Sequence, residues 1–164
     1  MDIEELLKNR KVIEKLKKLY KEREGRENEV IGCITAKGDV ILLAEHSNWS
    51  KLYGCKPYDI ECVKKIREDL KLKGCIATFH LHTPEGALLE PSGHDILTVY
   101  LLDLPDVIVH RDGLCVYRPL KKDVGIKDVW DIDEKCWVES DEDYWAWKAC
   151  LNLKLPIEKK VFKL

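Results

Sequence analysis

Along this chain, segments whose apolar residues recur every three or four positions alternate with short runs rich in β-formers, and that alternation restricts the possible folds more than any other feature. Residues 2–24 place Ile3, Leu6, Leu7, Ile13, Leu16, Leu19 and Tyr20 on one helical face, and Gly25 marks the end. Two β-rich runs follow around Lys37-Gly38-Asp39, the pattern of a hairpin. Val40–Leu43 is wholly apolar and predicts a central strand. A second helix is expected from Pro57, in its first turn, through Ile60, Val63, Ile66 and Leu70 to Gly74. Cys75–Leu81 is β-type, and a third helix runs from Ser92 towards Pro105. Asp106–Arg118 reads as a second hairpin turning at Asp112-Gly113. Residues 121–164 are acidic, carry Trp130, Trp137, Trp145 and Trp147, and show no clear period; they are expected to form an irregular extra layer over the core, with a docking surface as the sharper alternative. The order helix, two strands, helix, strand, helix, two strands predicts an α/β sandwich built on a mixed sheet.

The length of 164 residues suits one domain, with a core over about 25–120, an N-terminal helix and a C-terminal extension. A net charge of -2 removes the broad basic surface that nucleic acid would require. The N-terminus lacks the basic start and apolar run of a secretory signal, and no apolar stretch is long enough to cross a bilayer, so a cytoplasmic protein without membrane association is expected. Seven cysteines without a C-x-x-C pair match neither a disulfide framework nor a four-cysteine zinc module; most are expected to be reduced and buried. Glutamine is absent and methionine occurs once, a bias of heat-adapted proteins, against which the cysteine content weighs mildly.

The chemistry concentrates in His80-Leu81-His82-Thr83-Pro84-Glu85-Gly86-Ala87-Leu88-Leu89-Glu90-Pro91-Ser92-Gly93-His94-Asp95. On a strand, residues i and i+2 share a face, so His80 and His82 can offer imidazole nitrogen to one ion, with Asp95 as a third ligand and a fourth position left open. Two readings of the stretch compete on these residues alone, because a serine followed three residues later by an acid, ahead of an apolar helix, is also a capping box. His94 is better read as a surface residue than as a fourth ligand, and His46 and His110 as polar strand ends. Glu29 stands three residues before Gly32 at the opening of the first strand; Glu27 and Glu45 are competing bases.

Taken together, Glu29, Gly32, His80, His82, Pro91, Ser92 and Asp95 spell E-x-x-G-x-(L/I), H-x-H and P-S-x-x-D, and in this respect the chain resembles the JAMM, or MPN-type, zinc metalloproteases over about 25–120. The resemblance implies an MPN (JAB)-type fold, a cytidine-deaminase-like layered mixed sheet flanked by helices. It implies a zinc ion (Zn2+) held by His80, His82 and Asp95, with Glu29 as general base and acid and Ser92 stabilising the oxyanion. It implies a peptidase or isopeptidase acting on a protein or peptide substrate, with ubiquitin-like tails among the candidates and a homodimer as an allowed state. A non-catalytic MPN-type scaffold in a protein complex and a zinc hydrolase of small amides are the alternatives. The zinc deaminases need H-x-E and P-C-x-x-C, which this chain lacks. It departs from the family pattern in having Thr83 between the second histidine and proline, and a longer loop over 83–91, which bears on the substrate.

Overall fold

A computed structural model describes residues 2–57 and 59–163. The N-terminal amphipathic segment is two helices rather than the one expected: α1 (Ile3–Leu6) and α2 (Arg10–Arg23). Asn9 causes the break, because its side-chain oxygen accepts from the Lys11 amide at 3.0 Å and so begins a new helix. Val12, Leu16 and Tyr20 form the buried stripe of α2. Strands β1 (Ile31–Thr35) and β2 (Val40–Ala44) form the first hairpin. A short α3 (Trp49–Leu52) leads to α4 (Ile60–Leu72), whose N-cap is Asp59; Pro57 thus lies before the helix, not in its first turn. Then come β3 (Cys75–Leu81), α5 (Gly93–Leu102), β4 (Asp106–His110) and β5 (Gly113–Pro119). The C-terminal residues form α6 (Ile126–Glu139), α7 (Tyr144–Lys154) and β6 (Ile157–Lys163).

These strands make one six-stranded mixed sheet in the order β2-β1-β3-β4-β5-β6, in which only β3 and β4 run parallel. Helices cover both faces. On one, α1 and α2 press Ile3, Leu6, Val12 and Leu16 onto Phe79, Leu81, Val107 and Val116. On the other, α4 covers Cys33 and Cys75, while α5, α6 and α7 cover Ile108, Cys115 and Tyr117. Arg67 on α4 donates to the carbonyl oxygens of Leu101 (2.6 Å) and Tyr100 (3.3 Å), which ties α4 to the carbonyl end of α5.

Three further expectations are overturned. Val40–Leu43 lies on an edge strand and is only half-buried; it is apolar because Val40 and Leu42 pack under the N-terminal helices while Ile41 and Leu43 pack under α4, so both faces are covered although one edge is free. The C-terminal extension is not irregular. Its helical period was hidden because the outer surface carries Trp130, Val138, Trp145 and Leu153, all exposed, which erases the polar contrast on which periodicity depends. Finally, six cysteines pair as Cys33–Cys75, Cys55–Cys62 and Cys136–Cys150, and among the described residues only Cys115 is a free thiol. Tertiary structure makes these pairs: Cys33 and Cys75 sit on neighbouring antiparallel strands, Cys136 and Cys150 on facing helices, and linear spacing shows neither. No described helix is long and apolar enough to cross a membrane.

Candidate metal centre

Strand β3 delivers the two histidines. His80 is its sixth residue and His82 follows its end, so both rings leave the sheet on the face opposite Leu81, which is buried under the N-terminal helices. Both are almost fully buried. Each ring is fixed through Nδ1: that of His80 lies 2.7 Å from Asp106 Oδ2, and that of His82 lies 2.6 Å from the Leu88 carbonyl oxygen. A carbonyl oxygen can only accept, and the Asp106 carboxylate already accepts from Thr78 and Tyr117, so Nδ1 carries the proton on both rings. Their Nε2 atoms are left to face each other at 2.8 Å, close enough to share one proton or to bind one ion.

Helix α5 brings the carboxylate. Ser92 is its N-cap and Asp95 its third residue: the Ser92 hydroxyl oxygen accepts from the Asp95 amide at 3.1 Å, and Asp95 Oδ2 accepts from the Ser92 amide at 2.9 Å. The same carboxylate places Oδ1 3.3 Å from His80 Nε2 and Oδ2 3.4 Å from His82 Nε2. The capping box and the converging carboxylate are therefore one structure. Separations near 3.3 Å are those expected between ligands about 2.0–2.1 Å from a tetrahedral ion. Helix α7 secures the start of α5, since the Tyr144 hydroxyl accepts from the Gly93 amide at 3.2 Å and the Trp147 ring lies where a Cβ on residue 93 would fall.

Glu29 reaches the centre from the segment leading into β1. Ile31 pairs with His80, and Glu29, two residues earlier, projects to the same face. Its carboxylate, with His80 and His82, forms a group whose ligand atoms all lie within 4.8 Å of one another and could hold a metal ion. Gly32 follows from the packing: a Cβ there would strike the Ile41 carbonyl and the Phe79 ring.

Burial dominates the electrostatics. It pushes the Glu29 carboxyl above its ordinary value, with the neighbouring imidazoles opposing the shift and the carboxylates of Asp95 and Asp106 adding to it. For His80 burial favours the neutral ring, yet Asp95 and Asp106 outweigh it and raise the pKa well above normal. For Asp95 burial acts upward, but His80, His82 and the Ser92 amide hold the carboxyl well below the usual range. These shifts describe a buried cluster in which a positive charge on His80 is stabilised by the Asp95 and Asp106 carboxylates.

Of the other candidates, Glu45 is engaged by Arg23 at 2.7 Å and Glu27 is exposed. His94 is exposed and its ring lies 5.0 Å from that of Trp147. His46 accepts from the Asn48 amide, and His110, at the end of β4, binds the Ala87 carbonyl at 2.8 Å. The inserted Thr83 has a structural part: it donates to the Arg26 carbonyl at 3.1 Å and accepts from the Gly25 amide at 2.9 Å, clamping the end of β3 to the segment that leads to Glu29. Sequence reasoning missed Asp106; its signal was an acid opening an otherwise apolar strand, Asp106-Val107-Ile108-Val109.

A cleft of about 510 Å³ opens over the centre, lined at its floor by Glu29, His80, Ser92 and Asp95 and along its walls by apolar residues such as Trp49 and Leu97. Neither protein-family models, nor curated proteins, nor solved structures give a match to this chain.

Proposed function

We propose that the protein is a zinc-dependent amide hydrolase of the JAMM (MPN) type, a peptidase or isopeptidase. One observation carries the reading: two imidazole Nε2 atoms and a carboxylate converge on a single point, each held in place from behind. Groups so arranged need positive charge between them, which either a proton or a metal ion can supply. The donor set of two imidazoles and one carboxylate suits zinc and leaves a coordination position open. The order of elements supports the same assignment, with the E-x-x-G hairpin, the H-x-H strand and the S-x-x-D helix all adjoining one cleft.

When bound, the ion supplies Lewis acidity that polarises the oxygen atoms of substrate and water. The residues do the rest. Glu29 takes the proton of the attacking water as its oxygen bonds to the amide carbon, then passes it to the departing nitrogen as the C–N bond breaks. The Ser92 hydroxyl oxygen accepts from the Asp95 amide, which leaves its own proton to donate to the oxyanion; such a donor contributes about 3–4 kcal/mol in the transition state. The cleft is lined by apolar residues such as Trp49 and Leu97 together with polar ones such as Asn48 and Thr98, a mixture that suits the tail of a protein or peptide. A cytoplasmic location is part of this reading only for a heat-adapted cell, because elsewhere three disulfides point to an oxidising compartment.

The test measures zinc content and peptide hydrolysis together. Glu29→Gln should retain zinc and lose about 10²–10⁴-fold in turnover, whereas His82→Ala should lose both. An undiminished rate in Glu29→Gln removes the proposed base.

A further inference from the structure

Beneath His80, three side chains lie abreast on three neighbouring strands. Thr78 on β3 is in register with Asp106 on β4, and Asp106 with Tyr117 on β5, so all three point to the sheet face that carries the histidines. Asp106 is placed there by Pro105, whose carbonyl accepts from the Thr78 amide at 3.0 Å as β4 begins. Asp106 is 5% exposed, and its carboxylate accepts three hydrogen bonds: from Thr78 Oγ1 to Oδ1 at 2.7 Å, from the Tyr117 hydroxyl to Oδ2 at 2.6 Å, and from His80 Nδ1 to Oδ2 at 2.7 Å.

We propose that Asp106, held by Thr78 and Tyr117, is a positioning residue of the metal centre: it fixes the ring plane and tautomer of His80 so that Nε2 presents its lone pair to the ion. The inference rests on reading the site as a metal centre. Burying an anion costs several kcal/mol, and two neutral hydroxyl donors offset only part of that, so the carboxylate needs positive charge on the His80 side. A proton on the ring supplies it when the site is empty, and an ion at Nε2 takes the place of that proton when the site is filled. Carboxylate–imidazole–metal relays of this kind raise ligand basicity and hold the ring in one orientation. The arrangement also divides labour between the histidines: His80 leans on a charged carboxylate from the rigid sheet, His82 on the neutral carbonyl of Leu88 in the loop. His80 is thereby the anchored ligand, and His82 answers to the conformation of that loop.

The experiment measures Zn2+ affinity by competition with a chromophoric chelator for the wild-type chain, Asp106→Asn and Tyr117→Phe, alongside near-UV circular dichroism and nitrogen NMR of the imidazoles. Asp106→Asn should fold and bind zinc about 10–100-fold more weakly, with the hydrogen-bonded His80 Nδ1–H resonance lost. Tyr117→Phe should show a smaller loss in the same direction. A folded Asp106→Asn protein with wild-type zinc affinity overturns the inference while leaving the metal centre intact, since a structural role would lower the melting temperature alone. Should Asp106→Asn fail to fold, Tyr117→Phe decides: unchanged zinc affinity and an unchanged His80 resonance overturn the proposal. A wild-type chain that binds no zinc overturns both this inference and the reading beneath it.

Discussion

Removing the Cys33–Cys75 disulfide tests the architecture under the site. This bond joins β1 to the start of β3, the two strands that lead to Glu29 and to the histidines, and it closes a loop with a sequence separation of 42. Constraint of the unfolded chain by a loop of this length contributes about 4 kcal/mol. With an unfolding entropy of about 2.1 cal/mol/K per residue, a chain of 164 residues loses roughly 12 °C in Tm for such a change. The variant Cys33→Ala with Cys75→Ala, followed by circular dichroism on heating, should therefore keep its secondary structure at room temperature and melt about 12 °C below the wild type. The cavity left by two sulfur atoms beneath α4 shifts the value in the same direction. A double variant melting within about 3 °C of the wild type, against the shift expected from loop closure, refutes the reasoning.

Four further outcomes follow. Cys115 is fully buried and its thiol pKa is pushed up to about 11 by that burial, so iodoacetamide should leave the native chain unmodified and add a single group after unfolding without reductant; mass spectrometry showing several additions contradicts the pairing. Gly32→Ala places a Cβ against the Ile41 carbonyl and the Phe79 ring, and overpacking of that kind should cost about 1–3 kcal/mol in a denaturant titration. Glu4, although burial opposes its ionisation, is held below its ordinary value by Arg118, 2.6 Å away. Its contribution is thus complete above pH 4.5 and is lost as the pH falls through the lowered native value, so Glu4→Gln should cost about 0.5–1 kcal/mol at pH 7 and almost nothing near pH 3, and a cost that does not change with pH removes the ion pair from the account. Trp147→Ala should expose the start of α5 and cost about 3–5 kcal/mol, read from Tm.

How much of this was legible in the sequence depended on the kind of signal involved. Helices α4 and α5 and strand β3 announce themselves because a single face of each is buried, or nearly all of it, and the period survives. The convergence of His80, His82 and Asp95 was legible for a different reason: each belongs to a local motif whose spacing reflects strand or helix geometry. What the sequence hid were relations between distant segments. Asp106 is 26 positions from His80 in the chain yet lies 2.7 Å from its ring, through a parallel pairing that no local pattern records. The disulfides are of the same kind. The edge position of β2 was hidden because burial on both faces leaves the same apolar trace at an edge as at a centre.

The most direct test of the central claim is a crystal structure of zinc-soaked protein with anomalous scattering recorded across the zinc edge. The account predicts one peak about 2.0–2.2 Å from His80 Nε2, His82 Nε2 and an Asp95 carboxylate oxygen, with Glu29 outside the coordination sphere and facing the open position. No peak at that point, or a peak bound by Glu29 with Asp95 turned away, would contradict it.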